Sequence, residues 1–223
     1  MNTFSLKELR DCLIDKNAFI AHCAGYAKGV GNNQTDRYSI FERIHHAIFD
    51  DIEISCSTIV PGDNFQGNNY TGTLGIILFP KAPNSITFAS CSDSGTSIDI
   101  GNPTRRKYKN IKSDISLENI QKCILDRNKT DYNEFCILAY HVVGVFIGTP
   151  IQASIKEGII TYSESEVYYR FPYFPYYVLQ SGILYNAQFD DKSKAFLKGE
   201  QRSIADIYPV SLLKEMAEIS LLP

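Results

Sequence analysis

Cysteine and histidine are the residue types in this chain best suited to covalent chemistry. A thiolate activated by a nearby imidazole attacks carbonyl carbons, which is the first step of hydrolysis or deamidation. Cys91 lies in a predicted turn whose amides would form an oxyanion site, while Cys136 and His141 lie in an apolar stretch. The sequence is therefore compatible with a cytosolic cysteine hydrolase or glutamine deamidase that pairs Cys91 or Cys136 with His141, although no family motif surrounds any of the six cysteines.

The remaining chemical motifs are weaker. Glu164-Ser165-Glu166 has the carboxylate spacing of a strand edge in ADP-ribosyl-transferring enzymes, but three-residue motifs of this kind arise by chance. The basic run Arg105, Arg106 and Lys107 is a candidate phosphate or nucleotide site, and a solvated turn is the simpler interpretation. The chain contains no P-loop and no dinucleotide-binding glycine motif. We therefore expect no cofactor and no metal ion.

The composition is that of an ordinary globular protein. The 223 residues are 44% hydrophobic and 21% charged with a net charge of −3, which argues against a dedicated nucleic-acid binder. The N-terminus has an amphipathic pattern without the apolar core of a signal peptide, and no apolar run reaches about 18 residues. We therefore expect a cytoplasmic protein with no membrane partner, whose cysteines are mostly buried thiols.

The N-terminal residues 4–24 have the periodicity of an amphipathic helix, with Ser5 and Glu8 spaced as a capping box. The leucines on its apolar face recur at helical spacing: Leu6, Leu9 and Leu13. The Gly- and Asn-rich residues that follow, up to position 36, indicate a loop, so we expect this helix to project and to contact other copies. The chain divides accordingly into a helical arm with its loop at 1–30 and a single β-rich body at 31–223.

Strand patterns occupy the middle of the chain and helical patterns both ends. Residues 74–89 predict a β-hairpin, because a short apolar run and an alternating, half-buried strand flank a proline-containing turn. The β-branched residues of 134–147 predict one central strand. Further helices are predicted at 38–49, 115–125, 203–207 and 210–222. The fold class is therefore α+β: a central antiparallel β-sheet or sandwich with a projecting N-terminal helix and C-terminal helices.

Residues 162–185 contain half of the 14 tyrosines of the chain. Pro172 and Pro175 interrupt any helix through them, and tyrosine is favoured where one surface must be both apolar and hydrogen-bonding. We therefore expect this segment to contact another chain, with an aromatic minicore under a long loop as the alternative. The predicted self-assembly residues of this segment are Tyr168, Tyr169, Tyr173, Tyr176 and Tyr177.

Three local runs, SIFERI, STIVPGDN and GIILFPKAPNSITFA, resemble the cypovirus polyhedrins, as do the order of elements and the tyrosine content. The likeness covers residues 38–90, and we carry over no functional residue from the family. The resemblance implies a non-enzymatic structural protein that self-assembles, as trimers within a lattice, into a crystalline occlusion body. Such a body encloses and protects virus particles in the cytoplasm of the infected host cell.

Tyrosine side chains give this structural interpretation a physical basis. Their unperturbed pKa of about 10 would make a tyrosine-rich lattice dissolve in alkali through charge repulsion. Two other function classes stay open beside it: the cysteine hydrolase described above, and a monomeric module that binds an extended ligand on the tyrosine surface. The absence of a complete catalytic constellation in the sequence favours the structural class.

Overall fold

The computed structural model describes residues 4–23, 53–62, 74–91, 115–125, 133–148, 154–156, 159–161 and 164–219. Four predictions lie wholly outside these ranges: the loop up to position 36, the helix at 38–49, the basic run at 105–107 and the division between residues 30 and 31.

A nine-stranded sheet forms the centre of the described structure. Its strands are β1 (Phe19–Cys23), β2 (Ile54–Ile59), β3 (Leu74–Pro80), β4 (Ile86–Ser90), β5 (Glu134–Ile137), β6 (Tyr140–Ile147), β9 (Tyr176–Gln180), β10 (Ile183–Asp190) and β11 (Ala195–Gln201), and a separate two-stranded sheet consists of β7 (Ser154–Lys156) and β8 (Ile159–Thr161). The order in the large sheet is β11-β10-β9-β6-β3-β1-β2-β5-β4. Its neighbouring strands are antiparallel except for the parallel pair β6 and β9.

Helices lie at both ends of the chain, which confirms the α+β class. They are α1 (Leu6–Asp15), α2 (Leu117–Leu125), α3 (Glu164–Arg170), α4 (Ile204–Ile207) and α5 (Val210–Ile219). The capping box predicted for α1 is present, because the Ser5 hydroxyl and the Glu8 carboxylate each accept a hydrogen bond from the other residue's backbone N–H.

The two strands predicted as a hairpin form, but they do not pair with each other. β3 pairs with β1 and β6, whereas β4 pairs with β5. The stretch predicted as one central strand is likewise broken at Leu138 and Ala139 into β5 and β6. The turn between β3 and β4 and the break between β5 and β6 lie at the same corner of the sheet. There Leu138 donates its N–H to the carbonyl oxygen of Ser85 at 2.9 Å. The β3–β6 and β4–β5 ribbons are therefore two halves of one bent antiparallel ribbon.

Strands β1 and β2 connect the two halves of this ribbon. β1 lies between β3 and β2, and β2 pairs with β1 near its C-terminal end and with β5 near its N-terminal end. Consecutive residues are buried along β1, β2 and β3, at 18–21, 56–59 and 76–79. These strands are therefore covered on both faces, which explains the short apolar runs at 18–21 and 76–79.

Helix α1 packs on this core, so the prediction of a projecting helix is wrong for the described residues. Leu9 and Leu13 have no exposed surface, and Leu6 is half-buried against the core. These three leucines were predicted to contact neighbouring copies, but they pack against the core of their own chain.

The prediction of a helix to residue 24 is also wrong beyond Asp15. Asn17 adopts a left-handed φ of 49°, and Ala18 donates its N–H to the carbonyl of Leu13 at 2.8 Å. This is a Schellman-type helix end, and the following residues form β1. The apolar residues after position 17 have helical spacing, but their partner strands lie far away in sequence, so local periodicity could not identify them.

Tyr208 connects the C-terminal part of the chain to the middle of the sheet. Its hydroxyl accepts a hydrogen bond from the N–H of Ile20 and donates one to the carbonyl oxygen of Leu78, both at 2.9 Å. Ile20 and Leu78 face each other on β1 and β3. The hydroxyl therefore bridges the backbones of the two central strands from a side chain that is completely buried.

Three further contacts hold Tyr208 in place. Its ring packs on Phe79 with the centroids 5.1 Å apart, and its carbonyl oxygen accepts a hydrogen bond from the guanidinium of Arg10 on α1. Its own N–H donates a hydrogen bond to the carbonyl oxygen of Ile204 at 2.9 Å. Tyr208 thereby caps the C-terminal end of α4, a helix whose capping box joins Ser203 and Asp206. Tyr208 thus ties α1, α4, β1 and β3 together.

The C-terminal strands join the body through a close backbone approach at Gly144. Val145 on β6 donates its N–H to the carbonyl oxygen of Pro175 at 2.9 Å. A Cβ atom at Gly144 would lie 2.6 Å from the ring of Tyr177 and 2.9 Å from that carbonyl oxygen. Only glycine at this position lets β9 lie beside β6.

We expect Tyr208→Phe to lower the free energy of unfolding by about 3 kcal/mol, because a buried N–H and a buried C=O each lose this hydroxyl partner while the ring remains. Urea unfolding measures the change. Tyr185→Phe, a half-buried tyrosine on β10, serves as the control and should change stability by less than about 0.5 kcal/mol. Equal losses in the two variants would contradict the bridging role.

Candidate interaction surface

Strands β9, β10 and β11 extend the sheet beyond β6, and α3 covers one of their faces. Tyr168 on α3 stacks on Phe189 with the ring centroids 4.4 Å apart and the planes at 11°. Tyr176 packs on Phe196 at 4.5 Å, and Phe189 on Phe196 at 5.3 Å. We call Tyr168, Tyr176, Phe189 and Phe196 the aromatic cluster. It is a local core, as in the alternative interpretation of the tyrosine-rich segment, but a helix covers it where a long loop was predicted.

Tyr176 and Tyr177 are buried, so neither side chain is available for contact with another chain. The Tyr176 hydroxyl donates to the carbonyl oxygen of Phe171 at 2.8 Å. Burial raises the pKa of Tyr176 far above its usual range, and Tyr168 beside it adds to the rise. Burial also raises the pKa of Tyr177, with Arg202 partly opposing the shift. The structure therefore places these two predicted contact residues in the core.

Tyr173 is the large apolar side chain with the greatest exposure in the described residues, at 94%. It lies in the turn between α3 and β9, between Pro172 and Pro175. Phe171 at the start of this turn is buried, and its carbonyl accepts hydrogen bonds from the Phe174 N–H at 3.4 Å and from the Tyr176 hydroxyl. Two prolines and a buried anchor thus hold the turn that presents Tyr173 to solvent.

Tyr169 is 56% exposed and pins α3 to the turn between β10 and β11. Its hydroxyl donates to the Asp191 carboxylate at 2.7 Å, and the ammonium of Lys194 donates to both of them, at 3.1 and 2.9 Å. The hydrogen bond from Tyr169, with a smaller effect of Lys194, holds the pKa of Asp191 below its usual range. These groups are exposed, so the network positions the turn more than it stabilises the fold.

Strand β11 is at the edge of the sheet, but it is poorly suited to pairing with another strand. Its pairing with β10 is irregular between Tyr185 and Ala187, and Lys198 lies on this strand with its ammonium 4.4 Å over the ring of Tyr185. Bulges and charged side chains are the features that block edge-to-edge association. Leu197 on this strand is 54% exposed, so side-chain contact is possible there without strand addition.

The eight predicted self-assembly residues therefore fall into three groups by exposure. Tyr169 and Tyr173 are exposed, Leu6 and Tyr168 are half-buried, and Leu9, Leu13, Tyr176 and Tyr177 are buried. The sequence could not show which of these tyrosines face outward, since that depends on the packing of α3 against β10 and β11.

Cys91 forms a disulfide bond with Cys123, 32 residues away in sequence. The prediction that the cysteines are thiols is therefore wrong for this pair, and the bonded Cys91 is not available as a nucleophile. Cys136 on β5 is buried, with 3% of its surface exposed, and His141 lies on β6 beyond the corner at 138–139. Cysteine spacing gave no signal for the bond, because an even number of cysteines does not reveal which of them pair.

Residues 164 and 166 lie on α3 and not on a strand edge, so the ADP-ribosyl-transfer motif lacks its required context. Glu166 instead forms an ion pair with Arg170 one helical turn later, at 3.7 Å. Residues two apart on a helix do not face each other, so this context removes the shared strand edge on which the motif depends.

Asn133 forms a buried polar network that the sequence did not indicate. Its amide oxygen accepts hydrogen bonds from the Ser57 hydroxyl and the Thr58 N–H, both at 2.8 Å. Its amide nitrogen donates to the Thr58 hydroxyl and to the carbonyl oxygen of Cys123 at 3.0 Å. All four hydrogen-bonding positions of the amide are used, so Asn133 braces β2, α2 and the start of β5 rather than binding a ligand.

Across the part of the chain that the structure describes, no group of three or more His, Cys, Asp or Glu side chains is arranged to hold a metal ion. Nor is any helix within those ranges both long and apolar enough to cross a membrane. No family model, curated protein or solved structure matches this chain, so the assignment of function rests on the residues and their geometry.

The buried tyrosines predict a loss of stability in alkali. Burial raises the pKa of Tyr176, Tyr177 and Tyr208 above the unfolded value of about 10. The unfolded chain therefore loses its phenol protons first, so the stabilisation is complete below about pH 10 and decreases as the pH rises above it. We expect Tyr176 and Tyr208 each to lower the free energy of unfolding by about 1.4 kcal/mol by about pH 11, because burial raises both pKa values far above their usual range.

Urea unfolding at a series of pH values measures this loss. In Tyr176→Phe the free energy of unfolding should fall less between about pH 9 and about pH 11 than in the wild type, by the contribution of one tyrosine. This difference is expected whatever the substitution does to stability at neutral pH. A free energy of unfolding that stays constant from about pH 9 to about pH 11 would show that these phenols are not buried as described.

Proposed function

We propose that this chain is a self-assembling structural protein and not an enzyme, and that it forms a crystalline occlusion body around virus particles in the cytoplasm of the infected cell. The observation that most supports self-assembly is Tyr173, an aromatic side chain held almost fully exposed by a proline-flanked turn. Pre-ordered aromatic side chains lose little entropy on contact and are typical anchors of protein interfaces.

The distribution of the other aromatic side chains supports the same proposal. The aromatic cluster fastens the turn that carries Tyr173 to the sheet, so that a contact made by this side chain would be transmitted to a fixed body. Tyr169 and Leu197 add exposed apolar surface on the same extension. Trimer formation and the enclosure of virus particles come from the resemblance to polyhedrins and are part of the proposal, as is a nucleotide at Arg105, Arg106 and Lys107.

The burial of Leu9 and Leu13 alters how the proposed assembly would work. In the sequence-based hypothesis the N-terminal helix reached into neighbouring copies, but its apolar face is covered within the chain. The contacts between copies are therefore proposed to come from the surface around Tyr173. The alternative of a cysteine hydrolase has Cys91 as a nucleophile only while the disulfide bond is open, and its other candidate nucleophile, Cys136, is buried.

We expect Tyr173→Ser to weaken self-association by roughly 30-fold, which corresponds to the loss of one aromatic anchor worth about 2 kcal/mol. Sedimentation velocity over a concentration series of the full chain measures the change. Because the side chain is 94% exposed, the melting temperature should not change.

Two matched variants make this test specific. Tyr173→Phe retains the ring and should retain most of the association, while Lys192→Ser removes an exposed side chain from the β10–β11 turn and should have no effect. A chain that stays monomeric at every concentration would refute self-assembly. Wild-type association in Tyr173→Ser would refute the role of this surface.

A further inference from the structure

We propose that the Cys91–Cys123 bond is an oxidative lock on α2 that is open during synthesis and closes afterwards. The inference rests on the proposed function for two points, namely that the chain is made in the cytosol and that the occlusion body later leaves the cell. Cytosolic thiol buffers keep cysteines reduced, whereas disulfides persist in oxidising surroundings. An occlusion body that leaves the cell passes from the first environment to the second.

The two sulfur atoms differ in their access to solvent. Cys91 directly follows β4 and is half-exposed, whereas Cys123 lies on the buried face of α2 with no exposed surface. The Cα atoms of the two residues are 4.1 Å apart. A small oxidant therefore reaches Cys91 first, and Cys123 then attacks from within the protein.

Helix α2 has contacts that hold it in place before the bond forms. Ile120 and Ile124 are buried in the core, and the Asn133 side chain donates to the carbonyl oxygen of Cys123 at 3.0 Å. Asn133 is itself fixed to β2 through Ser57 and Thr58. These contacts place the Cys123 thiol beside Cys91 in the reduced protein, so oxidation requires no rearrangement.

Without the disulfide bond, only packing against the rest of the protein keeps α2 folded. A helix of nine residues is too short to be stable in isolation, and its C-terminal residue Leu125 is largely exposed. The disulfide closes a loop of the chain and so restricts the unfolded ensemble. Closing the bond should therefore slow the opening of α2 and raise the stability of the whole chain.

The reaction is a thiol–disulfide exchange with a small-molecule disulfide such as oxidised glutathione. The Cys91 thiolate attacks one sulfur atom of the small disulfide, forms a mixed disulfide and releases one small thiolate. The Cys123 thiolate then attacks the Cys91 sulfur atom and displaces the second. Two protein thiols are oxidised, one disulfide is reduced to two thiols, and the protons of the cysteines pass to the departing thiolates.

The first test determines when the bond forms. Full-length chain made in a reducing cytosol is alkylated at lysis, and mass spectrometry then counts the blocked cysteines. We expect Cys91 and Cys123 to be alkylated after denaturation of protein taken directly from the cytosol, and protected after exposure to oxidised glutathione. A bond already complete in the cytosol would overturn the proposal.

The second test measures what the bond does. Unassembled protein is kept reduced with a phosphine or oxidised with glutathione disulfide, and hydrogen exchange across residues 117–125 is compared together with the melting temperature. We expect oxidation to slow exchange in α2 and to raise the melting temperature by roughly 5–15 °C. Cys91→Ser should abolish both differences.

Cys12→Ser provides the matched control. Cys12 is a half-exposed cysteine outside the disulfide, and burial raises the pKa of its thiol, which slows its reaction. This variant should keep the full difference between the reduced and oxidised forms. A reduced wild-type chain that does not fold, or one whose α2 exchanges as slowly as in the oxidised chain, would overturn the lock. Neither readout requires particles, so a failure of self-assembly would be seen separately.

Discussion

The bridge made by the Tyr208 hydroxyl between β1 and β3 is the interaction on which the rest of the structure depends. β1 comes from the N-terminal end of the chain and β3 from its middle, and the side chain that spans them comes from near the C-terminal end. The phenol brings a polar atom into a place that is otherwise apolar, where it satisfies a backbone donor and a backbone acceptor at once. Arg10 and Phe79 fix the residue from α1 and β3. Correct docking of both chain ends is thus coupled to the pairing of the central strands.

The bent ribbon explains how this core supports an exposed surface. Because β3 and β6 form one half of the ribbon, the outer side of β6 is left for β9, and Gly144 allows the parallel strand to approach. β9 to β11 then extend the sheet, and the aromatic cluster attaches α3 to them. The turn with Tyr173 is therefore connected to the central strands by continuous packing rather than by a loop alone. A surface of this kind suits repeated contacts between identical copies, where each contact must occur with little loss of conformational entropy.

Local patterns in the sequence were sufficient for several elements and insufficient for their pairing. The capping box at Ser5 and Glu8 and the helix at 117–125 could be predicted, because each depends on spacing within one short window. The hairpin at 74–89 was wrong as a pairing although both strands exist, since the corner at Ser85 and Leu138 joins residues far apart in sequence. The strand at 19–23 was also missed, because its partner strands β2 and β3 lie far away in sequence.

The candidate site was only partly predictable. Composition identified the tyrosine-rich segment, but the distinction between the buried Tyr176 and the exposed Tyr173 depends on which side of β9 the helix α3 covers. The bridge at Tyr208, the network around Asn133 and the pairing of Cys91 with Cys123 have no local signature, because each joins residues from distant parts of the chain.

The measurement that tests self-assembly most directly is the expression of the untagged chain in insect cells, followed by electron microscopy and diffraction of any particles recovered. We expect micrometre-sized crystalline particles in the cytoplasm that survive neutral buffer and dissolve only in alkali, around and above the unperturbed phenol pKa of about 10. A protein recovered only as a dissolved monomer or dimer, with no particles in the cells, would contradict it.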